Sequence, residues 1–259
     1  MIEKYLVKKI TEPVDWKVTV PGSKSMTNRA LLMAVLSAGT VRVEGVLFSD
    51  DSRHFLACLV ALGFTVEIEE EKKCVTVTGC GGRIPRGEAA IDVGSAGTAA
   101  RFLAAMLGFS DGCYEIRCSA QMKRRPMAEL FDLLSGAGAK ITFLEEEGHL
   151  PVRITGCRYA RADKTAGETP RELSLDITKS TQFLSALLLI APMVPEGMKI
   201  HITSEKTDGS YIRITRKMMQ EFGVSVAFDG RDYEVPCRSS YQKETYMVEP
   251  DMSAACYFY

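Results

Sequence analysis

The sequence predicts an α/β fold built from one unit of about 75–85 residues used three times. Two sets of observations predict it. First, three segments end alike, each as a helix closed by glycine, an alternating strand, an acidic or glycine turn, and a second strand. They are LVALGFTVEIEEEKKCVTVTG (Leu59–Gly79), LLSGAGAKITFLEEEGHLPVRITG (Leu133–Gly156) and MMQEFGVSVAFDGRDYEVPC (Met218–Cys237), with Gly63, Gly138 and Gly223 equivalent. Second, three segments open alike, with a small-residue turn running into an apolar helix: GSKSMTNRALLMAVLS from Gly22, GSAGTAARFLAAMLGF from Gly94 and TKSTQFLSALLLIAPM from Thr178. Ser25, Gly97 and Thr181 then occupy equivalent positions. The unit, roughly helix, strand, helix, strand, strand, is longer than a solenoid repeat. Three of them suit a pseudo-threefold axis with helices inside and sheets outside.

The elements follow in order. Pro21-Gly22 is a turn, Ser23, Ser25 and Thr27 are candidate N-caps, and Ala30–Leu36 is an apolar run of helix formers. The second unit opens at Gly94, where Gly94 and Gly97 are candidates for close backbone approach to a ligand or for simple turn chemistry. MKRRPMAELF (Met122–Phe131) places Lys123, Arg124 and Arg125 before Pro126, a residue at home just inside a helix start. In the third unit Ser180-Thr181-Gln182 offers two hydroxyls and an amide at a helix start. Tyr211 follows the loop SEKTDGS and opens the next helix, either stacked on a ligand or anchored in the core.

Composition narrows the class. The chain has 259 residues, 46% hydrophobic and 25% charged, with a formal net charge of −1. It is long enough for a sizeable core and carries no global basic field pointing to nucleic acid. The most apolar run, Phe183–Val194, is too short to span a membrane and contains Pro192. The eight cysteines form no CxxC pair and read as scattered reduced thiols, which fits a cytoplasmic protein. His54, His149 and His201 read as structural or exposed, and Trp16 as a packing residue. There is no G-x-x-x-x-G-K-[ST], no G-x-G-x-x-G and no acidic metal constellation.

A helix N-terminus carries partial positive charge and free N–H groups. Lys24 and Arg29 around a first turn are therefore repelled, by roughly 0.3–1 kcal/mol each on a surface helix. Either solvent absorbs that charge, or an anion sits there, held by N–H groups, serine hydroxyls and two cations. The threefold arrangement favours the anion. It brings three helix starts to one place and collects Lys24, Ser25, Arg29, Gly97, Thr98, Arg101, Ser180, Thr181 and Gln182. Lys123, Arg124 and Arg125 extend this to an anion clamp, for which arginine is suited by its bidentate fork.

The segments PGSKSMTNRALLMAVL, GSAGTAARFLAAML, MKRRPMAELFDLLSGAGAKI, STQFLSALLLIAP and VEPDMSAACYF together resemble the 5-enolpyruvylshikimate-3-phosphate synthase (3-phosphoshikimate 1-carboxyvinyltransferase) family. The resemblance runs along nearly the whole chain. It implies an enolpyruvyl transferase-like lobe of three βαβαββ repeats around a pseudo-threefold axis. It also implies transfer of the enolpyruvyl group of phosphoenolpyruvate to the 5-hydroxyl of shikimate 3-phosphate, by addition and elimination through a tetrahedral ketal, with no metal or organic cofactor. Lys24 would meet both substrates and assist proton transfer. Ser25 and Arg29 would hold shikimate 3-phosphate, and Gly97 and Arg125 phosphoenolpyruvate. Ser180 and Thr181 would bind the shikimate phosphate, Gln182 would lie between the ligands, and Tyr211 near the shikimate ring. Both partners are small molecules, and a monomer is expected. Gly97 is the small residue associated with glyphosate sensitivity in that family.

The sequence departs from the family in places. Ser95 stands where the family often has Asn, and Thr181 where it has Ser. TDGSY (Thr207–Tyr211) replaces Ser-Lys/Arg-Pro-Tyr, which puts Asp208 at the expected shikimate contact. Residues 18–239 are expected to form one complete lobe, with repeats at about 18–84, 85–157 and 158–239. Residues 1–17 and 240–259 are expected to belong to a second lobe, with Asp251 capping a helix that the chain's end interrupts. In the family that second lobe carries an Asp and a Glu for proton transfer and more cations. This chain alone is therefore expected to bind shikimate 3-phosphate weakly without turnover. Two alternatives stand beside this reading. One is a UDP-N-acetylglucosamine enolpyruvyl transferase, whose P-G-G-C-x-I-G motif is not matched by CSAQMKRRP around Cys118. The other is a non-catalytic anion-binding lobe.

Overall fold

The computed structural model describes residue 11 and residues 17–157 and 169–256. Trp16 and the expected opening of the third unit, 158–168, lie outside the described residues.

Three four-stranded sheets surround a helical core. The first unit runs α1 (Lys24–Leu36), β1 (Thr40–Glu44), α2 (Asp50–Ala61), β2 (Thr65–Glu69) and β3 (Cys74–Thr78). The second runs β4 (Glu88–Asp92), α3 (Gly97–Gly108), β5 (Cys113–Arg117), a short α4 (Ala120–Lys123), α5 (Ala128–Gly136), β6 (Lys140–Phe143) and β7 (Val152–Thr155). The third runs β8 (Arg171–Leu175), α6 (Thr181–Ile190), β9 (Met198–Ile202), α7 (Ser210–Glu221), β10 (Ala227–Phe228) and β11 (Asp232–Val235). After it come β12 (Thr245–Met247) and α8 (Met252–Ala255).

The sheet orders are β4-β5-β7-β6, β8-β9-β11-β10 and β12-β1-β3-β2. In each, the first pair is parallel and the others antiparallel. A parallel neighbour requires a crossover, and α3 and α6 are the crossovers of the second and third units. These are βαβαββ units.

The helices α1, α3 and α6 form the centre. They are apolar nearly all round, the pattern of a fully enclosed helix. Met26 to Leu36, Ala99 to Gly108 and Phe183 to Ile190 are all buried, and each of the three helices touches the other two. The outer helices α2, α5 and α7 each end one residue before a capping residue that is followed by glycine. Gly63, Gly138 and Gly223 have φ of +92°, +101° and +93°, the left-handed turn that lets the chain reverse into the hairpin. After the hairpin the chain closes tightly on the central helix. A Cβ at Gly79 would lie 2.2 Å from the Ser37 carbonyl oxygen, and one at Gly156 would lie 2.2 Å from that of Ser110. The same closure is thus built twice.

Within the segment after the third unit, β12 pairs in parallel with β1, Arg42 with Thr245 through Glu44 with Met247. It takes the place that β4 and β8 take in the other sheets. Tyr246 and Val248 are buried, and the Tyr246 ring lies 5.0 Å from that of Phe222. Tyr241 donates to the Leu189 carbonyl at 2.8 Å. The cause is an open parallel edge on β1 with apolar side chains available to cover it, a pairing across 200 residues that local patterning does not carry. Alongside, Ser23 N–H donates to the Glu249 carbonyl at 2.9 Å and Asp251 N–H to that of Pro21 at 2.8 Å, binding the two strands of chain together. Asp251 caps α8 as expected, accepting from Ser253 N–H at 2.9 Å.

Candidate functional site

The starts of α1, α3 and α6 meet at one end of the axis around a cleft of about 360 Å³. The first unit contributes Lys24, Ser25, Arg29 and Asp51. The second contributes Ser95, Gly97, Thr98, Gln121 and Arg125, and the third Gln182 and Tyr211. Among the described residues, three cations, several hydroxyls and two amides face a single carboxylate. The free N–H groups of the helix starts add positive potential.

Arg29 is 2% exposed. Its Nε donates to Thr215 Oγ1 at 2.8 Å, Nη1 to the Ser25 carbonyl at 2.9 Å and Nη2 to Ser185 Oγ at 3.4 Å. Its guanidinium lies over the rings of Phe102 and Tyr211, 5.3 and 5.7 Å from their centroids. No carboxylate pairs with it among the described residues. Burial pulls its pKa down to about 10, so it remains a cation at neutral pH. Lys24 extends over the cleft with Nζ 3.4 Å from Asp51 Oδ2, a half-exposed pair of modest strength. Gly97 leaves room for Arg125: a Cβ there would lie 2.3 Å from Arg125 Nη1.

Other expected residues sit differently. Ser180 and Thr181 do not line the cleft as Gln182 does. The Ser180 hydroxyl is turned back to cap α6, accepting from Gln182 N–H at 3.2 Å. Of the basic run, only Arg125 reaches the cleft, because Lys123 is drawn to Glu145 at 2.5 and 2.7 Å. Gly94 faces away from the cleft: the space its Cβ would take is filled by the His54 ring. Asp208 is held by Arg213, at 2.8 Å, and by the Tyr233 hydroxyl, at 3.3 Å.

Asp51 was missed, as was any role for Gln121. SDDSRHF reads as a helix start, and Ser49 and Ser52 do form a capping box there. The signal was in the repeat. Asp51 is the second residue of α2, and Tyr211, already a candidate, is the second residue of α7.

Fold and site together define a lobe of the enolpyruvyl transferase type with a strongly cationic cleft. The structure superposes on EPSP synthase from Acinetobacter baumannii with a TM-score of 0.77 at 25% identity, over 93% of this chain and 51% of that one. It matches the enolpyruvyl transferase NikO from Streptomyces tendae in fold, with a TM-score of 0.65 at 14% identity, over 96% of this chain and 55% of that one. The pattern of the family described as EPSP synthase (3-phosphoshikimate 1-carboxyvinyltransferase) covers residues 8–259, and the chain belongs to that family. Among curated relatives, the 3-phosphoshikimate 1-carboxyvinyltransferase of Trichormus variabilis is 37% identical, aligned over 96% of this chain and 57% of that protein. The protein of the same name from Sulfurovum sp. is 42% identical, over 95% of this chain and 56% of that protein. The chain thus spans a little over half the length of the curated relatives it matches. These findings do not favour the UDP-N-acetylglucosamine alternative.

Proposed function

We propose that this chain supplies the shikimate-phosphate lobe of an enzyme that transfers the enolpyruvyl group of phosphoenolpyruvate to the 5-hydroxyl of shikimate 3-phosphate. The products are 5-enolpyruvylshikimate 3-phosphate and phosphate, on the route to chorismate and the aromatic amino acids. The observation that carries this reading is the convergence of Lys24, Arg29 and Arg125, from two different units, on one cleft that Asp51 lines as the single carboxylate among the described residues. Two anionic reactants repel each other. A site that neutralises both and fixes their geometry removes much of the barrier to their reaction.

In this reading Ser25 and Arg29 hold shikimate 3-phosphate, with Ser180 and Thr181, next to the cleft-lining Gln182, reaching its phosphate once it is bound, and Tyr211 beside its ring. Gly97 and Arg125 hold phosphoenolpyruvate, and Gln182 lies between the ligands. Lys24 touches both and assists proton transfer, with Asp51 beside its ammonium. The lobe spans residues 18–239, in units at about 18–84, 85–157 and 158–239, joined by the β12 segment. The protein acts as a cytoplasmic monomer on small molecules.

Calorimetric titration of shikimate 3-phosphate into the chain tests this. Saturable binding is expected, weakened about tenfold or more in Lys24→Ala and in Arg29→Ala, the loss of one charge-assisted contact. Circular dichroism checks that both variants fold. A folded wild-type chain that takes no shikimate 3-phosphate, or one whose binding survives both substitutions, overturns the assignment.

A further inference from the structure

Each unit brings the start of its central helix to the cleft, yet the units share the positive charge unequally. The first supplies Lys24 and Arg29 and the second Arg125. Among the described residues the third supplies Gln182 and Tyr211 to the cleft wall and no cation. The third unit does carry a cation close by. Lys179 stands immediately before Ser180, the N-cap of α6, and three residues before Gln182.

Lys179 is held by a carboxylate of the neighbouring unit. Its Nζ lies 2.5 Å from Oε1 of Glu129, the second residue of α5. The first unit contains a pair of the same design. Lys24, the first residue of α1, lies 3.4 Å from Asp51, the second residue of α2. In both pairs a lysine at the start of a central helix meets an acid in the first turn of an outer helix. Both lysines are open to water, with side chains 70% exposed at Lys179 and 52% at Lys24. Glu129 follows the cleft-lining Arg125 by four residues, so its pair with Lys179 spans the seam between the second and third units near the cleft. Each partner favours the charged form of the other: the ammonium holds the Glu129 carboxyl below the usual range, and the carboxylate raises the Lys179 ammonium above its own. Asp176, the other acid near Lys179, is engaged at Oδ1 by the Thr178 N–H at 2.7 Å.

An exposed ion pair contributes little to folding. A phosphate dianion makes stronger charge-assisted hydrogen bonds with an ammonium, and the flexible stem of lysine lets the ammonium move between partners. We propose that Lys179 is a further binding residue of the cleft, whose ammonium leaves Glu129 for the phosphate group of a ligand seated at the start of α6. The third unit then adds its own cation, and Glu129 competes with the ligand for it. This inference rests on the reading of the cleft as the shikimate 3-phosphate site, with Ser180 and Thr181 at the phosphate.

The test titrates shikimate 3-phosphate into the full chain by calorimetry, in wild type, Lys179→Ala, Lys179→Arg, Glu129→Gln and the double variant Lys179→Ala/Glu129→Gln. Lys179→Ala is expected to bind about five- to tenfold more weakly, and Lys179→Arg to stay within about threefold of wild type. Glu129→Gln should bind about two- to fivefold more tightly, because it releases the lysine. In the Lys179→Ala background the Glu129→Gln step should change affinity less than about 1.5-fold. Both single variants break the same ion pair, so a merely structural role moves binding the same way in each; opposite signs that vanish in the double variant mark competition for the ammonium. Unchanged affinity in Lys179→Ala, or weaker binding in Glu129→Gln, overturns the proposal. Titration of inorganic phosphate into the same variants separates the two assignments. Shikimate 3-phosphate binding that falls in Arg29→Ala and is unmoved in Lys179→Ala defeats only the role of Lys179. Phosphate binding that tracks Lys179 in a chain indifferent to shikimate 3-phosphate defeats only the substrate assignment. A folded chain that takes neither ligand defeats both.

Discussion

Gly97 makes room for two guanidinium groups: a Cβ there would lie 2.3 Å from Arg125 Nη1 and 3.0 Å from Arg101 Nη1. Its φ lies outside the left-handed region, so alanine suits its backbone and slightly favours the helix. The cost falls on Arg125, which must retreat from a Cβ otherwise 2.3 Å from Nη1. Gly97→Ala is expected to leave the melting temperature unchanged or slightly higher and to weaken phosphate binding about tenfold, as read by calorimetric titration. A variant that binds as wild type would mean that Arg125 is free to move without loss. Lys24, Arg29 and Arg125 stand out in the letters because a cation at a helix start is a local conflict, and Gly97 stands out through its repeat equivalence with Ser25 and Thr181. The Ser180 hydroxyl caps α6, a use that its place at a helix start allows as readily as ligand binding. Sequence reasoning missed Asp51, because an acid at a helix start is locally favourable and raises no question.

At the scale of elements, the units are held by the way each hairpin closes on its central helix. Gly79 and Gly156 follow β3 and β7 at matching points, with backbone oxygens of the α1 and α3 ends pressed against them. Backbone does not move aside as a flexible side chain does. Gly79→Ala and Gly156→Ala are each expected to destabilise the fold by about 1–3 kcal/mol, as overpacking does, measured by urea denaturation. Both should leave the cleft residues in place, since the closures lie at the far ends of α1 and α3. Equal costs at the two positions would support the equivalence of the units; a cost at one alone would argue against it. The element boundaries were legible because each unit repeats its punctuation. The left-handed glycines at 63, 138 and 223 mark the same turn in each copy. The short α4 before α5 was not legible. It inserts only into the second unit, and it places Gln121 and, just after it, Arg125 at the cleft.

The whole molecule converts a repeated sequence into a site that no single unit contains. The central helices pack along the axis, and the cationic cleft opens where their starts meet. Completion of the first sheet depends on β12, near the other end of the chain, with Tyr246 seated beside Phe222. Tyr246→Ala is therefore expected to cost about 3–5 kcal/mol, as truncation of a buried aromatic does, although a lobe ending at 239 would not need it. Equilibrium unfolding checks this, and a cost under about 1 kcal/mol would show that the segment only rests against the lobe.

The sequence by itself determined the repeat, the order of helices and strands within it, and the excess of cations at helix starts. These depend on residues close together in the chain, whose periodicity and turn chemistry are read directly. Tertiary structure alone decided which groups share the cleft, that Lys24 faces Asp51, that Arg101 is buried with no counter-ion among the described residues, and that β12 completes the first sheet. Those outcomes depend on packing between units tens to hundreds of residues apart. There, burial and the competition of each polar group for partners are settled only once the three units have closed around the axis.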